Sequence, residues 1–223
     1  MKVVMRNKTS FDKEQDYYSA ERKEIISIFP ADIETVLDVG CGRGVLGSRL
    51  KEKNLAASVV GIEINREAAE SARERVDQVI IADAEKGDFE LKDKYFDIII
   101  FADILEHLKD PWSALSKFKR YLKDDGYMLL SIPNVRYYRI PLNILFRGRF
   151  DYEESGILDI MHLRFFTFKT IKSMLKDSSL VIDKLYRNFS GIISKLFNTI
   201  TLNIFADIFT RQYIILVKKM EVK

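Results

Sequence analysis

Val36-Leu37-Asp38-Val39-Gly40-Cys41-Gly42-Arg43-Gly44 is the stretch that decides how this 223-residue chain is read. An apolar, β-branched run ends beside an acid, three glycines alternate with other residues, and a helical pattern begins at Val45. Glycines are required where a backbone turns tightly and a ligand must approach with no Cβ in the way. A nucleotide-type ligand at the carboxyl end of a first strand has that requirement. Several classes of nucleotide site use such a turn, so the rest of the chain has to decide among them.

Outward from this turn, strand-like and helix-like runs alternate. Strands are expected over residues 35–39, 58–64, 78–82, 97–102 and 127–132, with helices over 45–53, 66–76 (capped by Asn65) and 111–122 (Pro111 in its first turn). An opening helix is expected over 11–29, stopped by Pro30. Short β-branched strands alternating with helices predict an α/β, Rossmann-like fold: a mostly parallel sheet with helices on both faces. Ligands then sit beyond the carboxyl ends of the strands, in the loops after Val39, Ile64, Ala82, Ala102 and Ile132. Beyond Pro133 an irregular cap is expected, followed by a helix over 167–175, strands over 181–186 and 213–218, and an amphipathic helix between them. The chain divides as one domain, 1–223: N-terminal helix 10–30, cofactor-binding core 35–133, substrate cap 134–166, and a C-terminal completion of the sheet, 167–223, with inserted helix 191–209.

Composition narrows the function. Apolar residues make up 47% and charged residues 31%, as in a globular protein with a core. One cysteine excludes an internal disulfide and, with two histidines, gives no metal-ligand cluster legible in the sequence. The N-terminus has no leader-like apolar run, and the most apolar segment, 192–209, is broken by Lys195, Asn198, Asn203 and Asp207, so a cytoplasmic protein is expected. Residues 1–133 carry 21 Lys/Arg against 25 Asp/Glu, whereas residues 134–223 carry 15 against 8. The second part is thus suited to an anionic partner, or is a lysine-rich solvated surface.

Acids fall where an adenosine ligand needs them. Glu63 ends the second strand, where a carboxylate accepts from both ribose hydroxyls in dinucleotide sites, and Asp83 follows the third, within reach of an adenine amino group. Either alone reads as a solvated strand-end acid. Together with the glycine turn they favour a ligand.

The segments VLDVGCGRG, GIEIN, IADAE, FDIIIFADILEHLKDP and LKDDGYMLLSIPN resemble class I S-adenosylmethionine-dependent methyltransferases, nearest the small-molecule branch that includes ubiquinone-biosynthesis O-methyltransferases. The resemblance spans residues 35–180 and implies an antiparallel last strand and a cap inserted after the fifth. It implies that the backbone of Gly40, Cys41 and Gly42 follows the methionyl part of S-adenosylmethionine (product S-adenosylhomocysteine). Asp38 would lie near its amino group, Glu63 at the ribose, Ile64 against the adenine, and Asp83 and Ala84 at the adenine edge. Ala102 and Asp103 would lie beneath the methionine, and Tyr18 would close over the cofactor or serve as a core aromatic. The run Asp159-Ile160-Met161-His162-Leu163-Arg164-Phe165-Phe166-Thr167 resembles a D-x-x-H-x-R-F-F-T signature of a subgroup associated with glycan biosynthesis.

Methyl transfer to a hydroxyl needs alignment and a base. His162, with Asp159 placed to orient it, His107 and Asp103 are the candidates; the alternative for His162 and Arg164 is to pin the cap to the core. Arg136, Arg139, Arg147 and Arg149 suit phosphate recognition in the cap, with Tyr137 among the aromatic residues interleaved there. Cap packing ranks first for that region, an anionic substrate second and membrane contact third. The acceptor is expected to be small or carrier-linked, the protein a monomer or homodimer, and nucleic acid is disfavoured because the fourth strand lacks an Asn/Asp-Pro-Pro-aromatic end. A nicotinamide oxidoreductase is disfavoured by Asp38 ahead of the glycines. A methyltransferase-like module without turnover, acting as a complex partner, is the alternative of a different class.

Overall fold

The structure is a computed structural model and describes residues 22–86, 89–189 and 205–220. Its elements in chain order are α1 (Lys23–Ile26), β1 (Thr35–Val39), α2 (Val45–Glu52), β2 (Ser58–Glu63), α3 (Arg66–Ala72), β3 (Gln78–Ile81) and β4 (Phe96–Ala102). A 3-10 turn follows (Leu105–His107), then α4 (Pro111–Phe118), β5 (Leu122–Pro133), α5 (Arg139–Arg147), α6 (Phe168–Asp177), β6 (Leu180–Phe189), α7 (Ala206–Phe209) and β7 (Thr210–Lys219).

The seven strands form one sheet in the order β3-β2-β1-β4-β5-β7-β6. Strands β1 to β5 pair in parallel, and β7 enters antiparallel between β5 and β6. The fold class expected from the alternation is therefore observed. Successive residues of a strand feed opposite layers, as the two-residue period requires. Leu37, Val39, Ile99, Phe101, Met128, Leu130, Ile215 and Val217 pack with Phe118, Ile171 and Met174 on one face. Val36, Ile98, Ile100, Leu129, Ile214 and Leu216 pack with Ile25, Leu46, Leu50 and Val76 on the other. Both faces are covered, which explains why the strand sequences are apolar throughout rather than alternating.

Sequence signals fixed several boundaries. Asn65 caps α3 by accepting from the amide of Ala68 at 3.0 Å, and Thr167 and Thr170 form a capping box on α6. Two expectations changed. The fifth strand starts at Leu122 rather than 127, and α4 ends at Phe118, because Asp124–Gly126 are absorbed as an irregularity in the pairing with β4. The cap contains a regular helix, α5, where irregular chain was expected; Pro141 is tolerated because it sits in the first turn, where its missing N–H leaves no bond unmade. Of the opening helix residues 22–29 are described, and of these Lys23–Ile26 are helical; residues 11–21, including Tyr18, lie outside the described residues, as do 191–204 of the inserted helix. No helix among the described residues is long and apolar enough to cross a membrane.

Candidate active site at the carboxyl ends of the strands

Where β1 meets β2, the glycine turn is fully built. Gly40, Gly42 and Gly44 all take left-handed backbone, with φ of 73°, 55° and 74°. The amides of Gly40 and Cys41 both donate to the carbonyl of Ile62, at 2.8 and 3.1 Å, so the turn folds back over the end of β2. A Cβ on Gly40 would stand 2.4 Å from Cδ1 of Ile104. Cys41 is buried, its sulfur packed where a side chain on Gly61 would otherwise lie. Burial, with the charges of Asp38 and Glu63 nearby, pushes its thiol well up, so it is no nucleophile.

Glu63, to which the resemblance gives a ribose role, is bound to the backbone of its own site. It is 5% exposed, and its two oxygens accept from the amides of Gly42 and Asn65, each at 2.8 Å. The carboxylate thus ties the glycine turn to the cap of α3, and each oxygen keeps a second lone pair for a ligand hydroxyl. Ile64, next in sequence, is 64% exposed at the strand end. Asp83 accepts from the amide of Glu85 at 2.9 Å and meets Lys86 at 3.1 Å. The amide bond leads among the contacts that hold its carboxyl below the usual range. The carbonyl of Ala84 is held by the Lys117 ammonium at 2.7 Å.

At the end of β4, Ala102 is buried and Asp103 takes left-handed backbone, φ 54°. One Asp103 oxygen accepts from Ser131 at 2.8 Å and from Gln212 at 2.6 Å; the other pairs with Arg22. Arg22 and Gln212 were not identified from the sequence. Arg22 sits outside any motif, and Gln212 comes from the last strand, so only the antiparallel insertion of β7 beside β5 brings it here. Burial pushes the Asp38 carboxyl up to about 7, the Arg22 charge opposing and Glu63 adding to the shift. The native protein therefore holds a proton that the unfolded chain releases near pH 4, and stability falls as pH rises from there through about 7. Glu106, raised to about 8 by burial, acts in the same direction, and His107 and His162, lowered by burial, oppose it; the expected net result, without ligand and with chelator present, is a lower denaturant midpoint at pH 8 than at pH 5. Asp38→Asn should shrink that difference, and an Asp38→Asn variant whose midpoint falls as steeply with pH as the wild type's would contradict it.

Beneath the cap, Glu106 of the 3-10 turn is buried, and its carbonyl accepts from the amides of Leu163 and Arg164 at 2.8 and 2.9 Å. His107 and His162 meet edge to face with centroids 4.7 Å apart. Asp159 does not orient the His162 ring as expected. Its oxygen accepts from the amide of Met161 at 2.8 Å, and Nδ1 of His162 faces the carbonyl of Ile157 at 3.0 Å. Arg164 donates to the carbonyl of Lys109 through two nitrogens and lies over Trp112. Tyr137 is buried against Tyr138, whereas Arg136 and Arg139 are exposed on the cap.

The comparisons with known proteins agree with this geometry. A family model described as a methyltransferase domain matches residues 11–185. The chain belongs to the class I methyltransferase family. A ubiquinone biosynthesis O-methyltransferase of Actinobacillus pleuropneumoniae is 33% identical over 108 residues, 44% of this chain and 45% of the relative. An uncharacterized protein of Methanocaldococcus jannaschii is 30% identical over 185 residues, 75% of this chain and 70% of the relative. The chain spans less than half the length of the first curated relatives it matches. In fold, a SAM-dependent methyltransferase from Archaeoglobus fulgidus superposes with a TM-score of 0.67 at 19% identity, covering 95% of this chain and all of that one. A methyltransferase in complex with the Trm112 activator from Haloferax volcanii gives 0.64 at 14% identity, covering 94% of this chain and 92% of that one. S-adenosylmethionine is the cofactor of this family, and the cradle fits it: side-chain-free backbone at Gly40 and Gly42, an acid with spare lone pairs at Glu63, and an uncovered apolar face at Ile64.

Proposed function

We propose that this domain transfers a methyl group from S-adenosylmethionine to an oxygen, or failing that a nitrogen, of a small or carrier-linked acceptor that carries anionic or sugar groups. The glycine turn held by Glu63 carries this reading. When bound, the cofactor supplies an electrophilic methyl on a sulfonium. The protein's task is alignment: Asp38 and Asp103 flank the methionine end, Glu63 fixes the ribose and Ile64 covers the adenine. Positioning of this kind is worth roughly 7–11 kcal/mol of the barrier. The acceptor enters from the cap side, where exposed Arg136 and Arg139 offer planar, multidentate donors to an anionic group. The Actinobacillus relative, an O-methyltransferase, supports an oxygen acceptor, and an N-methyltransferase of Papaver somniferum, 31% identical over 108 residues, supports the nitrogen alternative.

Calorimetry with S-adenosylmethionine, S-adenosylhomocysteine and NAD tests the donor. We expect both sulfur ligands to bind with one site per chain, and binding of NAD alone would overturn the reading. Transfer of labelled methyl from S-adenosylmethionine into fractionated lysate of the native host then identifies the acceptor. Labelling of a polar small-molecule or lipid-linked fraction is expected, and labelling confined to nucleic acid would refute the acceptor class.

A further inference from the structure

The whole chain contains two histidines, and the fold brings both to one buried carboxylate. Glu106 and His107 lie on the 3-10 turn after β4, and His162 comes from the cap. One donor atom from each of the three lies within 4.8 Å of the other two, and Nε2 of His162 stands 3.9 Å from Oε1 of Glu106. Glu106 is 1% exposed, and neither of its oxygens has a hydrogen-bond partner among the described residues. Native proteins rarely leave a buried carboxylate in that state, and each instance calls for an explanation such as a bound ion.

We propose that Glu106, His107 and His162 bind a divalent transition-metal ion of the zinc class. The rings are already in the required tautomer. Nδ1 of His107 lies 3.2 Å from the carbonyl of Met161, and Nδ1 of His162 lies 3.0 Å from that of Ile157. A carbonyl only accepts, so each Nδ1 carries the proton and each Nε2 the lone pair, which is how ligating imidazoles are held by their outer partners. Two imidazoles and one carboxylate suit zinc and its first-row neighbours, whereas magnesium and calcium prefer all-oxygen sets. Bonds of about 2.0–2.2 Å would draw the three donors closer together, a modest side-chain movement since the backbone of Leu163 and Arg164 is already bonded to Glu106. The ion clasps the cap to the carboxyl end of β4. Ligation uses the lone pair that a base would need, so His162 serves the ion rather than the acceptor's proton.

The test uses the full chain without a histidine tag and cobalt(II) as a coloured stand-in for zinc. We expect a visible absorption band that saturates at one cobalt per chain, is displaced by zinc, and survives excess magnesium. X-ray absorption should show imidazole nitrogen on the cobalt, which in a chain with two histidines has no other source. Glu106→Gln and His162→Gln should each weaken binding at least about a hundredfold, beyond what loss of an outer partner costs. Zinc should raise the melting temperature of the wild type and leave that of Glu106→Gln, whose neutral isostere is suited to the buried site, unmoved. Absence of a saturable band, displacement by magnesium, or undiminished affinity in both variants would overturn the site. None of these readouts requires methyl transfer, so they stand or fall separately from the proposed activity.

Discussion

Gly40→Ala is expected to lower the melting temperature and to weaken S-adenosylhomocysteine binding by more than tenfold. Two independent costs coincide at this residue. Its backbone, at φ 73°, is left-handed, where an L side chain is disfavoured by about 1–2 kcal/mol. Its Cβ would lie 2.4 and 2.6 Å from two carbons of the Ile104 side chain, an overlap of the overpacking kind that costs about 1–3 kcal/mol. Ile104 belongs to the segment leading into the 3-10 turn, so relief of the clash moves the glycine turn or the loop after β4, both of which face the cofactor in the proposed reading. Gly148 separates the two costs. It has φ 62° with nothing within 4 Å of a built Cβ, so Gly148→Ala should show the backbone cost alone and leave binding intact. In a Gly40→Ala, Ile104→Ala double variant, the steric part should be recovered and the backbone part retained. Equal destabilisation by the two glycine substitutions, measured in denaturant, would show that Ile104 does not matter.

The contrast between Gly40 and Glu106 marks what a sequence makes legible. The parallel sheet, its helices and the glycine turn were readable because their signals are local: β-branched runs, an Asn or Thr cap, alternate glycines. The left-handed glycines lie in the turn the sequence points to, and Asn65 caps the helix it precedes. Glu106 sits in ILEHL, where an acid between apolar residues reads as a solvated helix face. Its burial follows from the cap returning His162 and the amides of Leu163 and Arg164 onto the 3-10 turn. No spacing rule connects those segments. Gln212 is a similar case, since its bond to Asp103 depends on β7 being inserted antiparallel beside β5. Long-range pairing, and not residue type, decided both.

Glu63→Gln should reduce S-adenosylhomocysteine affinity about a hundredfold, near 2.7 kcal/mol, although it changes the side chain's shape little. The carboxylate accepts from two backbone amides, of Gly42 and Asn65. A glutamine has one acceptor oxygen, so its amino group must face one of those amides donor to donor. A buried donor left unmet costs about 1–3 kcal/mol, and here the loss is transmitted. The Asn65 amide sits at the cap whose side chain holds Ala68, and Gly42 lies in the turn that approaches the ligand. The proposed ribose contacts would lose as well, because hydrogen bonds to an ionised acceptor are about twice as strong as neutral ones. Asp83→Asn is the comparison. Asp83 is only partly buried and accepts a single amide, from Glu85, besides its contact with Lys86, so a loss nearer tenfold is expected. Calorimetry on the two variants ranks them directly. If Glu63→Gln binds within threefold of the wild type, neither its hold on the turn nor a ribose contact bears on the ligand. The reading of this strand end as the ribose site would then have to move to another acid.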